Sequence, residues 1–206
     1  MSTTRNSNRW RTNINMKSMD RMEALALLNK HRTNEIVVPV YQAATTWRSI
    51  STSHLDYTFT GAMGQGSSHA LGIALGRPDK KIIILDGDGS LLMNLGSLVT
   101  IGNINPSNLV HCVCINGTYE TNGSIQIPNH QNISFSKIAK AAGYKEILVI
   151  DDIHSWEKTI PELLTTNKLT FVELHMHPGS NQLQDNFKEL YSTEQRNQFI
   201  RTLIKT

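Results

Sequence analysis

The sequence is poor in the features that mark several protein classes. It has only two cysteines among 206 residues, and no apolar run approaches the roughly 18 residues expected of a membrane span. Its formal net charge is +3 and its basic residues are dispersed, so no dense basic segment indicates nucleic-acid binding. The first residues also lack the apolar core of a secretory signal. These absences favour a soluble protein that binds neither membranes nor nucleic acids.

The two cysteines indicate a reducing compartment. Cys112 and Cys114 lie on one predicted buried strand, where residues two apart point to the same face. A disulfide between such neighbours has poor geometry. We therefore predict reduced core thiols in a cytoplasmic protein, in preference to a redox pair or a metal site.

The length accommodates one well-cored domain with little room for a second. Residues 1–18 are rich in Asn and Ser and contain basic but no acidic side chains, as in some organelle transit peptides. Because such clusters resist burial, we prefer to interpret this segment as a flexible extension. Residues 19–180 are then the folded domain, and residues 181–206 are a helical tail.

Strands and helices are predicted to alternate along the domain. Apolar, β-branched runs predict buried strands at 35–40, 81–85, 109–115, 146–150 and 169–175. Helices are predicted at 19–28, 67–75, 91–104, 134–142, 153–164 and 187–204, with polar, irregular stretches at 41–54 and 117–131. This alternation indicates an α/β fold, doubly wound, with a mostly parallel sheet and helices on both faces.

Two polar motifs follow neighbouring strands in this scheme. Gly87-Asp88-Gly89-Ser90 ends one strand, and Asn116 ends the next. About two dozen residues lie between Gly89 and Asn116, enough for a turn, a helix and a return strand. Both motifs should therefore emerge at the carboxyl edge of the sheet, where folds of this class bind ligands.

The residue types in these motifs suit a metal-bound diphosphate. Mg²⁺ prefers oxygen ligands, which Asp88 and the amide of Asn116 provide. Gly87 and Gly89 permit a sharp turn and a close backbone approach, and Ser90 stands where a helix begins, with N–H groups directed at an anion. The alternative is a tight strand-to-helix turn in which Asp88 merely caps the helix.

The paired motifs resemble the diphosphate- and magnesium-binding motif of thiamine diphosphate (ThDP) enzymes, written Gly-Asp-Gly, then about two dozen residues, then Asn. Gly61-Ala62-Met63-Gly64-Gln65-Gly66 and Asn116-Gly117-Thr118-Tyr119 resemble elements of one branch, the sulfopyruvate and phosphonopyruvate decarboxylases. The likeness covers residues 19–177 and is greatest to the separate β subunits of this branch.

The resemblance implies a role for each matching residue. Mg²⁺ would be bound by Asp88, Asn116 and the main-chain carbonyl of Thr118. The Met63 side chain would hold the two cofactor rings in a V shape, although an ordinary core methionine is the simpler alternative. The Met63 N–H and the Gly61 carbonyl would bind the aminopyrimidine edge. The full cofactor-binding set is Gly61, Met63, Gly87, Asp88, Gly89, Ser90, Asn116, Thr118 and Tyr119.

The resemblance also implies a partner. In the family, a glutamate that activates the cofactor lies in a separate pyrimidine-binding module, and no stretch of roughly 150 residues remains here for such a module. We therefore expect a β subunit, inactive alone, that joins a pyrimidine-binding α subunit to form a 2-oxo-acid decarboxylase, a carboxy-lyase. The expected substrate is a small 2-oxo acid with a sulfonate or phosphonate head group. Alternatives are an acetolactate-synthase-like carboligase subunit and a non-catalytic regulatory subunit.

The proton donor is left open by departures from the family pattern. Related pyruvate decarboxylases have an acid six residues beyond the metal-binding Asn, where this chain has Asn122. The catalytic candidates are His69, Glu120 and Asn122, and His130 is a further candidate donor; an ordinary structural or solvated role is the alternative for the two histidines and Glu120. Residues 40–49, where relatives turn on a glycine, contain none and are expected to reshape the substrate pocket.

The remaining histidines and the tryptophans are expected to be structural. His175 and His177 share a strand face, but no Cys or acidic side chain completes a zinc ligand set. The tryptophans are scattered along the sequence and are predicted to be packing residues: Trp10, Trp47 and Trp156.

Overall fold

A five-stranded parallel sheet forms the centre of the protein. The computed structural model describes residues 17–179 and 192–206. The strands of the sheet are β1 (Ile36–Pro39), β2 (Ile82–Gly87), β3 (Leu109–Ile115), β6 (Glu146–Ile150) and β7 (Thr170–His175), and β4 (Thr118–Tyr119) and β5 (Ile125–Gln126) form a small antiparallel hairpin. The order across the sheet is β1-β2-β3-β7-β6, with every neighbouring pair parallel.

Helices cover both faces of this sheet. They are α1 (Arg21–His31), α2 (Tyr41–Ile50), α3 (Gly66–Gly76), α4 (Asp88–Leu92), α5 (Gly96–Ile104), α6 (Phe135–Ala142), α7 (Ile153–Thr165) and α8 (Thr193–Lys205). Helices α3, α5, α6 and α8 pack into one core cluster, together with Val38 and Ile84. Helices α1, α2 and α7 pack into the other with Val37 and Ile83. Successive strand residues point to opposite faces, so the predicted doubly wound α/β fold is confirmed.

Helix α2 corrects the prediction of an irregular stretch at 41–54. Its two threonines and its serine lower its helix propensity, but Ala43, Ala44 and Trp47 are buried. Tertiary packing of this face outweighs the weak local preference. The correction matters for function because α2 begins directly after β1, at the edge of the sheet where the motifs lie.

The predicted helix at 91–104 is instead two helices. Helix α4 ends at Leu92 and α5 begins at Gly96. Between them, Asn94 donates a side-chain hydrogen bond to the carbonyl of Gly64 at 3.1 Å. This contact with a distant segment explains why the helical pattern of the sequence did not reveal the break.

Two of the three tryptophans are packing residues, as predicted. Trp47 and Trp156 are fully buried, and the Trp156 indole N–H donates to the Ala24 carbonyl at 2.8 Å. Trp10, most of the predicted extension and residues 180–191 lie outside the described residues. Among the helices that the structure describes, none has the length and apolar composition of a membrane span.

A close contact between helices α5 and α6 depends on Gly102. Helices α5 and α6 approach so closely there that a Cβ on Gly102 would lie 1.9 Å from the carbonyl oxygen of Ala142 and 2.8 Å from its carbon. Both atoms are backbone and cannot rotate away. By contrast, a Cβ on Gly72 of α3 would meet no atom within 4 Å.

This contrast predicts opposite effects of the same substitution. Gly102→Ala should destabilise the protein by about 1–3 kcal/mol, because the backbone of α6 must shift. Gly72→Ala should stabilise it by about 0.5–1 kcal/mol, because alanine loses less entropy in a helix. Urea unfolding followed by circular dichroism measures both. Equal stability of the two variants would contradict the described α5–α6 contact.

Candidate functional site

Asp88 lies where β2 meets α4 and binds the end of the neighbouring strand. Its Oδ1 accepts a hydrogen bond from the Gly89 N–H at 2.8 Å. Its Oδ2 accepts from the N–H groups of Asn116 at 3.0 Å and Gly117 at 2.7 Å. The α4 N-cap residue is Gly87, which makes no side-chain cap bond. Asp88 therefore does more than cap a helix, since it joins the carboxyl ends of β2 and β3.

The Asp88 carboxylate is almost completely buried, with 1% of the residue exposed. Burial raises the pKa of this carboxyl to about 6, although its hydrogen bonds from backbone N–H groups act in the opposite direction. A buried carboxylate is stabilised by a cation in contact with it. The electrostatics of this position thus suit a metal ligand.

Asn116 has a defined amide orientation. Its Oδ1 accepts from the Thr118 N–H at 2.9 Å and from the Thr118 hydroxyl at 3.1 Å. Its Nδ2 donates to Glu120 Oε2 at 2.7 Å. A carboxylate only accepts hydrogen bonds, so the NH₂ group must face Glu120 and the oxygen must face Thr118.

Glu120 is buried beside Asn116 and paired with Arg21. The guanidinium of Arg21 donates to Glu120 Oε2 at 2.6 Å and to Oε1 at 2.8 Å, a bidentate arrangement. Arg21 Nε donates in addition to the Thr46 hydroxyl at 3.1 Å. Helices α1 and α2 thereby contact the site formed by the two motifs.

These residues line an open cavity at the carboxyl edge of the sheet. The predicted site residues found in its wall are Met63, Gly87, Asp88, Gly89, Ser90, Asn116, Thr118, Tyr119 and Glu120. Additional wall residues are Arg21, Val40, Tyr41, Gln42, Ala43, Asp86, Cys114 and Thr121. Gly61 lies elsewhere, in a separate depression with Phe59, Thr60 and residues of α8.

The glycine-rich segment that carries Met63 is attached to α4. The N–H of Gly64 donates to the Ser90 hydroxyl at 3.1 Å, and the Gly64 carbonyl accepts from Asn94 at 3.1 Å. Gly64 has φ +80°, and a Cβ there would lie 2.9 Å from the Asn94 Cβ. Glycine is therefore required at position 64, and this close contact brings Met63 to the cavity wall.

The segment expected to reshape the pocket does lie in the cavity wall, as Val40, Tyr41, Gln42 and Ala43. Tyr41 has φ +46°, a left-handed conformation that is unusual for a residue other than glycine. Such a conformation costs an L-residue roughly 1–2 kcal/mol. The segment thus makes a left-handed backbone turn at a bulky aromatic residue and without a glycine.

The proton-donor candidates occupy different environments. Glu120 reaches the cavity, but its carboxylate is bound by Arg21 and Asn116. His69 stacks on Tyr57 with ring centroids 4.4 Å apart, burial lowers its pKa, and it does not line this cavity. Asn122 is exposed and likewise absent from the wall. His130 packs over Gly117, since a Cβ on Gly117 would lie 3.4 Å from the His130 ring.

His175 and His177, which share a strand face in the sequence pattern, contact different partners. His175 Nε2 lies 3.3 Å from Glu173 Oε1, and His177 Nδ1 lies 2.6 Å from the Ser18 hydroxyl. Among the described residues, no three His, Cys, Asp or Glu side chains form a group that could hold a metal ion. The donors near Asp88 are of a different kind, one carboxylate with amide and carbonyl oxygens, and such a set suits a hard cation like Mg²⁺.

Two glycines leave space beside Asp88 and allow a close backbone approach to it. A Cβ on Gly87 would meet no atom within 4 Å, so its backbone faces open space. A Cβ on Gly89 would lie 2.6 Å from the Tyr119 ring and 3.5 Å from the Thr118 carbonyl oxygen. Glycine at position 89 thus lets the hairpin that begins with Thr118 approach Asp88. The residues present fit a metal-bound diphosphate.

Both cysteines are free and buried, as predicted. Burial raises the pKa of both thiols, that of Cys114 to about 12. Cys114 belongs to the cavity wall through its place at the end of β3. Neither thiol is ionised near neutral pH, so both behave as small apolar side chains.

Two important residues of the site were not predicted from the sequence. Arg21 lies in the first turn of α1, where the helix dipole disfavours a positive charge. A cation in this position indicates an acidic partner elsewhere in the chain, which here is Glu120. Asp86 is fully buried behind the cavity, where its Oδ1 accepts from the Gly87 N–H at 2.9 Å and its Oδ2 lies 3.5 Å from His111 Nε2.

Comparison with protein families agrees with this geometry. Residues 39–174 match the family described as "Thiamine pyrophosphate enzyme, C-terminal TPP binding domain". This match covers more than half of the chain, and the chain belongs to that family. Thiamine pyrophosphate is another name for ThDP.

Curated relatives place the chain near two decarboxylases. It is 36% identical to the phosphonopyruvate decarboxylase of Streptomyces viridochromogenes over 124 residues, which are 60% of this chain and 31% of the relative. It is 37% identical to the sulfopyruvate decarboxylase subunit beta of Methanocaldococcus jannaschii over 113 residues, 55% of this chain and 59% of the relative. The chain thus matches less than two thirds of the length of either relative.

Among solved structures, the fold is similar to that of a ThDP-dependent 4-hydroxybenzoylformate decarboxylase from Rhodococcus jostii. The TM-score is 0.67 at 19% sequence identity, covering 79% of this chain and 33% of that one. At this identity the likeness concerns the fold alone.

Proposed function

We propose that this chain is the β subunit of a ThDP-dependent decarboxylase that acts on a small 2-oxo acid with a sulfonate or phosphonate head group. The observation that carries the proposal is the convergence of Asp88 and Asn116 on one cavity wall, with Asp88 bound to the backbone N–H of Asn116 at 3.0 Å. A carboxylate and an amide at adjacent strand ends form half of an octahedral oxygen site when a main-chain carbonyl joins them.

In this proposal, the metal ligands from the chain are Asp88, the Asn116 amide oxygen and the Thr118 carbonyl. Gly87, Gly89 and the Ser90 hydroxyl line the space for the diphosphate. Met63 would support the cofactor rings from the cavity wall. Gly61 lies outside that wall, so the expected contact between its carbonyl and the pyrimidine edge has less support than that of Met63.

Bound ThDP would supply the carbanion that adds to the keto carbon and the ring that accepts electrons as carbon dioxide leaves. The chain's own residues orient the diphosphate end and exclude water around it. In the described part of the cavity wall, both carboxylate oxygens of Asp88 and of Glu120 accept hydrogen bonds, whereas Asp86 Oδ2 accepts none. Asp86 contacts the Gly87 N–H, Asp88 contacts three N–H groups, and Glu120 contacts Arg21 and Asn116.

This arrangement supports the need for a second subunit. Glu120 is the only glutamate in the described cavity wall, and its carboxylate is already bound by Arg21 and Asn116. We propose that the glutamate that activates the cofactor's pyrimidine ring comes from an α subunit with the pyrimidine-binding module. One relative is itself named a subunit beta, and the other matches over only 31% of its own length, as expected if one module of a longer chain is separate here.

Replacing the proposed metal ligand should abolish cofactor binding. In the complex with its partner, Asp88→Ala should weaken Mg²⁺-dependent ThDP binding by about 100-fold or more, because losing a ligand costs at least as much as losing a residue that supports one. Isothermal titration calorimetry measures this. Asp79→Ala is the matched control, because Asp79 is a surface residue paired with Arg77. A wild-type complex that binds no ThDP would favour the non-catalytic subunit instead.

The partner requirement can be tested with purified proteins. The chain alone should show no turnover of sulfopyruvate or phosphonopyruvate, and the complex with the product of a neighbouring gene should release carbon dioxide and the corresponding aldehyde. Product identification by mass spectrometry separates this outcome from a carboligase, which would give a longer acyloin. Full turnover by the lone chain would contradict the proposal.

A further inference from the structure

A buried ion pair stands directly behind the proposed metal ligand Asn116. Glu120 is 6% exposed, and the Arg21 side chain is 16% exposed. Two hydrogen bonds of 2.6 and 2.8 Å join them, and Glu120 Oε2 also accepts from Asn116 Nδ2 at 2.7 Å. One carboxylate oxygen therefore connects the guanidinium to the amide.

Several separate parts of the chain are shaped around this pair. Arg21 comes from α1 and is oriented by Thr46 of α2 at 3.1 Å. Glu120 follows β4 in a single turn of 3₁₀ helix. A Cβ on Gly179, which follows β7, would lie 1.9 Å from Glu120 Oε1 and 2.8 Å from Arg21 Nη2. Glycine at position 179 thus leaves room for the ion pair.

The stability of the fold alone does not explain why this ion pair is buried. Desolvation of two buried charges offsets most of their attraction, so buried ion pairs often contribute little net stability. A buried ion pair does fix the orientation of its groups, because two parallel hydrogen bonds hold the carboxylate in one direction. Here the group that is oriented is the amide of Asn116.

The two ends of that amide are nearly equal in shape but opposite in chemistry. With the NH₂ group held by Glu120, Oδ1 faces Thr118, the residue whose carbonyl is the other proposed ligand, and Asn116 lines the cavity. A flipped amide would direct N–H donors at a cation, which repel it. The Thr118 N–H favours the same orientation by donating to Oδ1, so Glu120 and Thr118 act from opposite sides of the amide.

We propose that Glu120, anchored by Arg21, is a positioning residue that fixes Asn116 with its oxygen toward the metal. The inference rests on the proposed metal site and deepens it. The sequence made Glu120 a candidate proton donor, but its hydrogen bonds with Arg21 and Asn116 indicate a positioning role instead. It acts through Asn116 and does not touch the substrate.

Metal affinity measures this positioning directly. Mn²⁺ binding to the complex of the full chain and its partner, in the presence of ThDP, can be followed by electron paramagnetic resonance. Glu120→Ala should raise the Kd for Mn²⁺ about 10–100-fold, the usual loss when the support of a metal ligand is removed. Glu194→Ala is the control, because its side chain is 75% exposed and distant in the sequence from the site. It should leave the Kd unchanged.

A charge-conserving exchange separates positioning from general stability. Asn116→Asp alone would set two carboxylates against each other where a 2.7 Å hydrogen bond now lies, and it should weaken Mn²⁺ binding. Adding Glu120→Ala removes the second carboxylate and restores the net charge of the wild type, and a carboxylate at position 116 presents an oxygen to the metal in either orientation. The double variant should therefore regain Mn²⁺ affinity to within about 10-fold of the wild type.

The outcomes distinguish this inference from the proposed function. A wild-type complex that binds no Mn²⁺ with ThDP overturns both. A wild-type complex that binds Mn²⁺, with equal affinity in Glu120→Ala and Glu194→Ala, overturns only the positioning role. Recovery of the thermal midpoint without recovery of Mn²⁺ affinity in the double variant also overturns it, because that result shows a structural role alone.

Discussion

The carboxylate of Asp88 is the group on which the rest of the site depends. It accepts hydrogen bonds from three backbone N–H groups, two of which belong to the chain that leaves β3. These bonds hold the ends of β2 and β3 in one arrangement and set the direction in which Asn116 and the β4–β5 hairpin leave the sheet. Burial opposes the charge on Asp88 and raises its pKa to about 6. A cation beside this carboxylate would therefore stabilise both the charge and the surrounding backbone.

Elements from both ends of the sequence complete the site around Asp88. Helix α1 supplies Arg21, α2 supplies the wall that begins at Tyr41, and Gly179 closes against the ion pair. The site thus belongs to the whole α/β fold and not to the Gly-Asp-Gly turn alone. This organisation explains how one cavity can contain the buried carboxylate of Asp88 and a second carboxylate, that of Glu120, whose charge is already compensated by arginine.

The sequence predicted the parts of this arrangement that depend on local pattern and spacing. The five strands, the helices on both faces and the meeting of Asp88 with Asn116 follow from apolar periodicity and from the distance between the motifs. Long-range contacts escaped it. The burial of Trp47 makes α2 helical, Asn94 separates α4 from α5, and Arg21 pairs with a residue 99 positions away. Propensity and spacing carry no information about partners so distant.

The most direct test of this account is the position of the metal ion. Crystals of the complex grown with Mn²⁺ and ThDP would show that ion by its anomalous scattering. The account predicts one peak at about 2.0–2.2 Å from an Asp88 carboxylate oxygen and from Asn116 Oδ1, with the diphosphate on its open side. An ordered diphosphate with no metal at Asp88, or a peak bound by other residues, would contradict it.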